Sequence, residues 1–469
     1  MVEHIPDRVL EIYGKLAKNG YEIYFVGGCV RNLILERSVK DWDLTTNAKP
    51  EEILKIFPNG FYDNQFGTVG IPLEGEKKGS LSAVNQVVEI TTFRTEGEYK
   101  DKRHPENVAW GKTIEEDLSR RDFTINAIAL RLTTFAQGKP SHFELVDPFE
   151  GEKDIERKII KAVGEANIRF KEDALRLIRA VRIATELNFT IENKTWEKIK
   201  EDASLIQNVS NERVHDELLR ILKSENQYEG IMLLYDSGLL KYILPELLEG
   251  VGVSQARPGR HHKTDVFTHN VLSLKFCPSK DPVVRFATLI HDAGKPRVKA
   301  EDEEGLVIFH NHEMVGAKMA KQICERLRFS KKDTEKIVNL IRWHMFSVNE
   351  NLTDAGVRRF IRRIGVDNVK DMMDLRVADR LGGGTQTAES WRLKLFKEKV
   401  EEQLKPAPFS INDMAVDGND VMRELHIKPG PVIGKILEKL FEEVDEDLSK
   451  NNKDYLLGRI KELGKEYID

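Results

Sequence analysis

The chain has 469 residues, 40% of them hydrophobic and 32% charged, with a net charge of −5 at pH 7. At roughly 150 residues per domain, that length holds about three or four domains of soluble, helix-rich composition. No apolar run approaches the ~18 residues of a membrane span, and the three cysteines (Cys29, Cys277, Cys324) have neither the number nor the spacing of a disulfide framework or a thiolate zinc site.

The N-terminus is charged and amphipathic and lacks the apolar core and small-residue cleavage site of a signal peptide, so the expected compartment is cytoplasmic, with no membrane partner. The slight acidity runs against nucleic-acid binding as a bulk property, because phosphate contacts draw on Lys and Arg. The charge is uneven, however. Residues 153–182 carry nine Lys or Arg against five Asp or Glu, and GVRRFIRRIG at 356–365 is basic too, while acid gathers at 301–305 and in the last forty residues. Such patches fit an RNA held at defined places.

In chain order, YEIYFV at 21–26 reads as a short buried strand, Gly27-Gly28 as a turn and CVRNLILE as a helix start. KDWDLTT at 40–46 alternates and reads as a second strand, and VNQVVEITTFR at 84–94 as a third. The polar stretch from Thr95 to Glu106 reads as a mobile loop. From Gly151 onward the periodicity is helical. DALRLIRAVRIATEL sets apolar residues at 174, 175, 177, 178, 181 and 183 as one stripe with arginines opposite. Breaks fall at 244–260 and 381–386, and a last segment begins at 405–410. The expected fold class is α+β: a small mixed α/β head over 1–150, then a predominantly all-α neck over 151–250, body over 251–404 and tail over 405–469.

Asp41 and Asp43 lie two apart on a predicted strand, so both carboxylates point to one face. Two hard oxygen ligands beside a phosphate-binding turn suit Mg²⁺, and two such ions can activate an attacking hydroxyl and stabilise leaving pyrophosphate. Gly27-Gly28 lets backbone N–H groups approach a triphosphate that any Cβ would hinder. Arg31, a helical turn further on, can neutralise phosphate oxygens, and Glu89 can complete the metal site from a neighbouring strand. A lone D-x-D is usually a solvated edge and a lone Gly-Gly a turn. Their combination within seventeen residues is far more specific.

Together these strings resemble the polymerase β nucleotidyltransferase superfamily and, within it, the bacterial class II CCA-adding enzymes, over nearly the whole chain. FVGGCVRN at 25–32 is similar to the family's GGxVRD turn, with Asn32 where Asp is usual. KDWDLTTNAKPEEI at 40–53 carries the metal carboxylates, residues 91–110 resemble the flexible loop and its flanks, and LSRRDFTINAIA at 118–129 resembles the join of head and neck. EDALRLIRAVR at 172–182 resembles the nucleotide-selecting helix. Asp173 and Arg176, three apart, are expected to share a helix face. A carboxylate acceptor beside a guanidinium donor matches the amino group and ring nitrogen of C and A, and leaves U and G with unpaired groups. The resemblance implies that Arg121, Arg179 and Arg182 contact triphosphate, base or RNA backbone, that CTP, ATP and tRNA are the partners, and that the tail touches tRNA.

His291-Asp292 in LIHDAGK ends an apolar helix with two adjacent ligand types suited to Mn, Ni, Co or Fe. With His269 upstream and Asp379 downstream, the order H…HD…D resembles the all-helical HD phosphohydrolase superfamily. His312 and His344 fall where HD proteins with additional ligands place theirs, implying a second metal. The resemblance implies that water is activated against 2′,3′-cyclic phosphates, 2′-nucleotides or terminal phosphates at RNA ends. Rival readings are an A-adding or CC-adding enzyme, a poly(A) polymerase, or an HD phosphohydrolase whose front half only holds RNA. By the resemblance, CC-only enzymes lack a working loop, so the intact charged loop here (Arg94, Glu96, Tyr99, Asp101, Arg103) argues against CC addition alone; the clustered Asp41 and Asp43 argue against a mere binding module.

Overall fold

The computed structural model describes residues 2–62, 67–73, 87–94, 110–136, 139–256, 264–346, 353–404 and 410–468. The chain divides into two compact units, Met1–Leu244 and Pro245–Asp469. Within the first, the strands β1 (Ile23–Val26), β2 (Trp42–Thr46), β3 (Phe61–Tyr62), β4 (Thr68–Pro72), β5 (Val87–Thr92), β6 (Ala129–Ala136) and β7 (Lys139–Val146) form one sheet. Their order is β3-β4-β5-β2-β1-β6-β7. All four residues of β1 are buried, as the run YEIYFV requires. Tyr13, on the Asp7–Lys18 helix, pins that helix to the sheet. Its ring stacks on Phe25 at 5.2 Å, its hydroxyl donates to the Ile23 carbonyl at 2.9 Å, and the Leu132 N–H donates to it at 2.9 Å.

Register does the work of positioning. β2 runs parallel to β5 with Asp43 opposite Glu89, and neighbours in register share a sheet face. Asp41 sits immediately before β2, two residues from Asp43, so the alternation read from the sequence carries over to the strand's entry.

Beyond the sheet the first unit is helical. One expectation needs correction here. Asp173 is not on a helix with Arg176: it closes the Ala166–Glu172 helix in extended backbone (φ −141°, ψ 104°), and the next helix is Leu175–Leu187. The cause is the short Asp side chain, whose Oδ1 accepts the Leu175 N–H at 3.1 Å and competes with helix continuation. The arginines opposite the apolar stripe are not a solvated face either, since Arg182 is only 4% exposed.

In the second unit, the helices Val266–Lys275, Pro282–Ile290, His312–Arg326, Lys331–Trp343 and Val369–Gly382 surround buried His and Asp side chains. The helices Gly418–Leu425, Pro431–Glu446 and Lys453–Ile468 carry a core of their own, including Val421, Leu440, Val444, Leu456 and Ile460. Arg358 and Arg362 tie this core to the Asp354–Ile364 helix by bonding the buried Asp445.

Gly382 marks the closest approach of two helices. A Cβ there would lie 2.2 Å from Ser273 Oγ and 2.6 Å from Ser273 N. Gly382→Ala should therefore destabilise by about 1–3 kcal/mol through overpacking, read as a lower denaturation midpoint in urea. An unchanged midpoint would contradict the close approach.

Candidate active sites

Asp41 and Asp43 line one cavity of about 420 Å³ together with Gly28, Arg31, Arg179 and Arg182. Gly27 turns the chain at φ 73°, which a side chain would strain. A Cβ at Gly27 would stand 3.1 Å from Arg121 Nη1 and 3.6 Å from Asp43 Oδ2, so turn, guanidinium and carboxylate meet in one corner. Burial pushes the Asp43 carboxyl up; Arg121 opposes this, Asp41 adds to it and Arg179 opposes it. Two carboxylates so close, one of them buried, are an oxygen pair that a divalent cation can bridge. The donor set, oxygen only, fits such an ion.

The arginines are held by acids that the sequence reading had not singled out. Asp117 is fully buried and accepts from Arg120 Nη2 at 2.7 Å and Arg121 Nη2 at 2.9 Å. Asp122 accepts from Arg179 Nε at 2.9 Å and Nη2 at 2.6 Å, and from Asn126 Nδ2 at 3.0 Å. Burial would raise the Asp122 carboxyl, yet Arg179 and Asn126 hold it well below its usual range. Arg182 pairs with Glu217 and with Glu186, the latter at 2.7 Å. Arg31 donates to Asn126 Oδ1 at 2.6 Å and to Asn32 Oδ1 at 3.1 Å. Burial, helped by Arg182, lowers its pKa to about 10, so it stays charged at neutral pH. Asn32 thus supplies the supporting contact expected of Asp, without the negative charge.

Asp173 and Arg176 do not line this cavity. Asp173 is bonded by Arg213 (Nη2–Oδ2 2.8 Å). Arg176 donates to Glu172 at 2.7 Å and to the Arg120 carbonyl at 2.7 Å, which anchors it on the RRDF element. Arg213 and Glu217 lie four apart on the Asn211–Lys223 helix, a spacing that in sequence marks only a shared face. The charged loop with Glu96, Tyr99, Asp101 and Arg103 lies outside the described residues. Arg94, at its base, donates to Thr68 Oγ1 at 2.8 Å.

The second constellation assembles as its order in the chain suggested. His269 Nε2 lies 3.2 Å from His291 Nε2, 3.2 Å from Asp292 Oδ2 and 3.3 Å from Asp379 Oδ1. The other Asp292 oxygen, Oδ1, lies 3.2 Å from His312 Nε2 and 3.6 Å from His344 Nε2. His291, His312 and His344 each place Nδ1 against the backbone carbonyl three residues earlier, at 2.8, 2.8 and 2.7 Å. Carbonyls accept only, so each Nδ1 carries a proton and each ring turns its Nε2 inward toward the carboxylates. An Nε2 facing a carboxylate oxygen at these distances has a proton or a metal ion between the two, and the nitrogen–oxygen donor set fits a transition metal.

Gly294 brings the halves together. A Cβ there would stand 2.3 Å from the His312 carbonyl oxygen, so the HDAGK turn presses on the helix that carries His312. Lys295 follows Gly294 in the same turn. Its Nζ reaches Asp292 Oδ2 and Gln255 Oε1, both at 2.5 Å. Lys295, Arg376, Asp292, Asp379, His312 and His344 line a cavity of about 430 Å³.

This pairing of a carboxylate–arginine head with a His/Asp helical centre defines a class, a nucleotidyltransferase joined to an HD domain. Residues 23–161 match the Poly A polymerase head domain, 188–250 the probable RNA and SrmB-binding site of polymerase A, and 271–384 the HD domain. The CCA-adding enzyme of Limosilactobacillus reuteri (strain DSM 20016) is 30% identical over 96% of this chain and 95% of its own length. The A-adding tRNA nucleotidyltransferase of Deinococcus radiodurans is 37% identical over 70% of this chain and 75% of its own. The crystal structure of Bacillus stearothermophilus CCA-adding enzyme in complex with CTP superposes with a TM-score of 0.71 at 25% identity, covering 98% and 97% of the two chains. The chain belongs to the CCA-adding family of tRNA nucleotidyltransferases.

Asp117 gives the head a testable acid limit. Burial alone would raise its carboxyl, but Arg120 and Arg121 outweigh burial and hold it at about 2. Its contribution to stability is therefore complete above the unfolded-state pKa of about 3.9 and is lost as pH falls through the folded value. The stability difference between wild type and Asp117→Asn, from urea unfolding, should be constant from about pH 7 to 5 and shrink below about pH 4. A difference that stays constant down to about pH 3 would refute the linkage.

Proposed function

We propose that the head adds the 3′-terminal CCA of tRNA from CTP and ATP without a template, and that the HD centre hydrolyses phosphoesters at RNA ends. The observation that carries the first part is the convergence of Asp41, Asp43, Arg31, Arg179 and Arg182 on one cavity. On this reading residues 1–150 are the transferase head, 151–250 the nucleotide-selecting neck, 251–404 the HD domain and 405–469 a tail that contacts tRNA, in a cytoplasmic enzyme. Among the described residues no helix is long and apolar enough to cross a membrane.

Mg²⁺ held by Asp41, Asp43 and Glu89 would supply Lewis acidity for in-line attack of the RNA 3′-hydroxyl on the α-phosphate. The chain's own part is positioning. The Gly27-Gly28 turn admits the triphosphate to its backbone N–H groups, and Arg31, Arg121, Arg179 and Arg182 balance its charge. Asp173, oriented by Arg213, accepts from the amino group of C or A. Bonds to Glu172, Arg169 and Arg120 occupy three of the five Arg176 N–H donors, and its Nε–H can address the ring nitrogen. Full CCA addition and A addition alone both fit this pocket, and a poly(A) polymerase shares its head.

One experiment separates these. Purified protein is given tRNA lacking CCA, with each labelled NTP alone and in combination. Wild type should add C, C and A, whereas Asp41→Ala and Asp43→Ala should lose transfer with the fold retained. Arg176→Ala should lose one to two powers of ten in preference for CTP over UTP, the cost of about 1–3 kcal/mol for an unmade buried bond. Acceptance of ATP only on tRNA already ending in CC would identify an A-adding enzyme. Full CTP incorporation by both Asp variants would reject the metal assignment.

At the HD centre, His269, His291, Asp292 and Asp379 would hold one transition metal (Mn, Ni, Co or Fe), and Asp292, His312 and His344 a second. The metal would supply Lewis acidity toward water and the phosphoester. Lys295 and Arg376 line the cavity where the ester oxygens would lie. Asp292→Ala should abolish hydrolysis of a 2′,3′-cyclic phosphate while CCA addition persists. Collapse of both activities in a folded variant would show that the two centres are coupled.

A further inference from the structure

The basic run GVRRFIRRIG is only half absorbed by the fold. On the Asp354–Ile364 helix, residues four apart share a face. Arg358 and Arg362 turn inward to Asp445. Arg359 and Arg363, one step round, are exposed, Arg359 keeping a 4.0 Å ion pair with Asp445, and they line a separate cavity of about 400 Å³ with Arg342, Trp343, Phe346 and Phe360. The guanidinium carbons of Arg342 and Arg363 lie 4.4 and 5.2 Å from the Trp343 ring centroid. Phe360 packs on Phe346 at 4.7 Å and on Phe396 at 5.1 Å. Three arginines against one acid, Glu313, leave this lining two charges positive.

Planar aromatic and guanidinium groups under net positive charge are the composition that stacks an unpaired base and holds its phosphate. An acidic peptide would use the charge but not the stacking planes. The cavity also adjoins the HD centre: Met345 lines both cavities, and Trp343 and Met345 flank His344 in the chain. Arg376 lies 5.5 Å from the Phe346 ring centroid and donates to Asp379 Oδ2 at 3.1 Å.

We propose that this cavity is the nucleoside subsite of the HD centre, gripping a base and backbone phosphate of a single-stranded RNA 3′ end so that the terminal phosphoester reaches the His/Asp cluster. The inference rests on the phosphoesterase reading of that centre, and the test separates the two. Full-length protein loaded with Mn²⁺ is assayed on a short oligoribonucleotide ending in a 2′,3′-cyclic phosphate and on bis(p-nitrophenyl) phosphate, which has no base. In the double variant Arg359→Ala/Arg363→Ala, KM for the oligonucleotide should rise about tenfold, the scale of one lost stacking and phosphate contact. Its kcat, and turnover of the baseless ester, should not change. An unchanged KM, or equal loss on both substrates, overturns the subsite. Binding of a 3′-phosphorylated oligonucleotide to metal-free protein, followed by fluorescence anisotropy, should weaken by the same factor. Weakened binding with no hydrolysis by wild type would leave the subsite standing and reject the phosphoesterase. Displacement of the oligonucleotide by an acidic peptide more effectively than by a mononucleotide would reject the RNA assignment.

Discussion

The bond between Asp122 and Arg179 spans 57 residues of sequence and fastens the end of the head to the first long helix of the neck. Arg179 shares a cavity with Asp41 and Asp43, and left alone it would collapse onto those carboxylates. Asp122 prevents this by holding Arg179 through Nε and Nη2, a fixed two-donor grip that leaves its charge in the cavity. The same arrangement recurs at Asp117 with Arg120 and Arg121 and at Glu217 with Arg182. Removing one partner would strand a buried charge, at a cost of about 3–5 kcal/mol. These acids therefore hold fold and site together by one interaction.

The HD centre solves the opposite problem. There the carboxylates meet imidazoles, with one contact each from Lys295 and Arg376, and three of the imidazoles are oriented by backbone carbonyls. Those carbonyls belong to residues three positions earlier, so each ring is oriented by its own helix or turn rather than by a distant partner. The distant parts are set by small residues. Gly294 lets the HDAGK turn touch the His312 helix, and Gly382 lets the Asp379 helix touch the His269 helix. A ligand set drawn from five places in the chain closes because backbones at two of them approach within contact distance.

Legibility in the sequence followed how local the determining physics was. The strands carrying Asp43 and Glu89 were readable because a buried or alternating run has few other solutions. β3, β4 and the β6–β7 hairpin were not read; β3 has two residues, and β3 and β7 are edge strands that owe their existence to the neighbour they pair with. The order His269, His291-Asp292, Asp379 was enough to place the second centre, because metal-ligand types so arranged have few other uses. Asp173 was misplaced by a rule about spacing: three residues apart means one face only if the helix is unbroken, and Asp is a residue that breaks it. Asp117, Asp122 and Glu217 went unremarked because a carboxylate that holds an arginine looks, in sequence, like any surface acid.

The four arginines of residues 358–363 carry that point further. As a string they are one basic patch, and charge counting treats them alike. Helix geometry divides them into two pairs, and a single buried carboxylate, Asp445, decides which pair is structural. Burial would raise that carboxyl, but Arg362 and Arg358 hold it below its usual value, so the inward pair is bound to it and half its charge is offset. The outward pair, of which Arg359 stays 4.0 Å from Asp445, lies beside aromatic rings and next to the cavity of the His/Asp cluster. What a basic run does is thus set by the acid it does or does not meet in three dimensions. In this chain that distinction separates the part of the run that binds the tail helices from the part left to meet a phosphate.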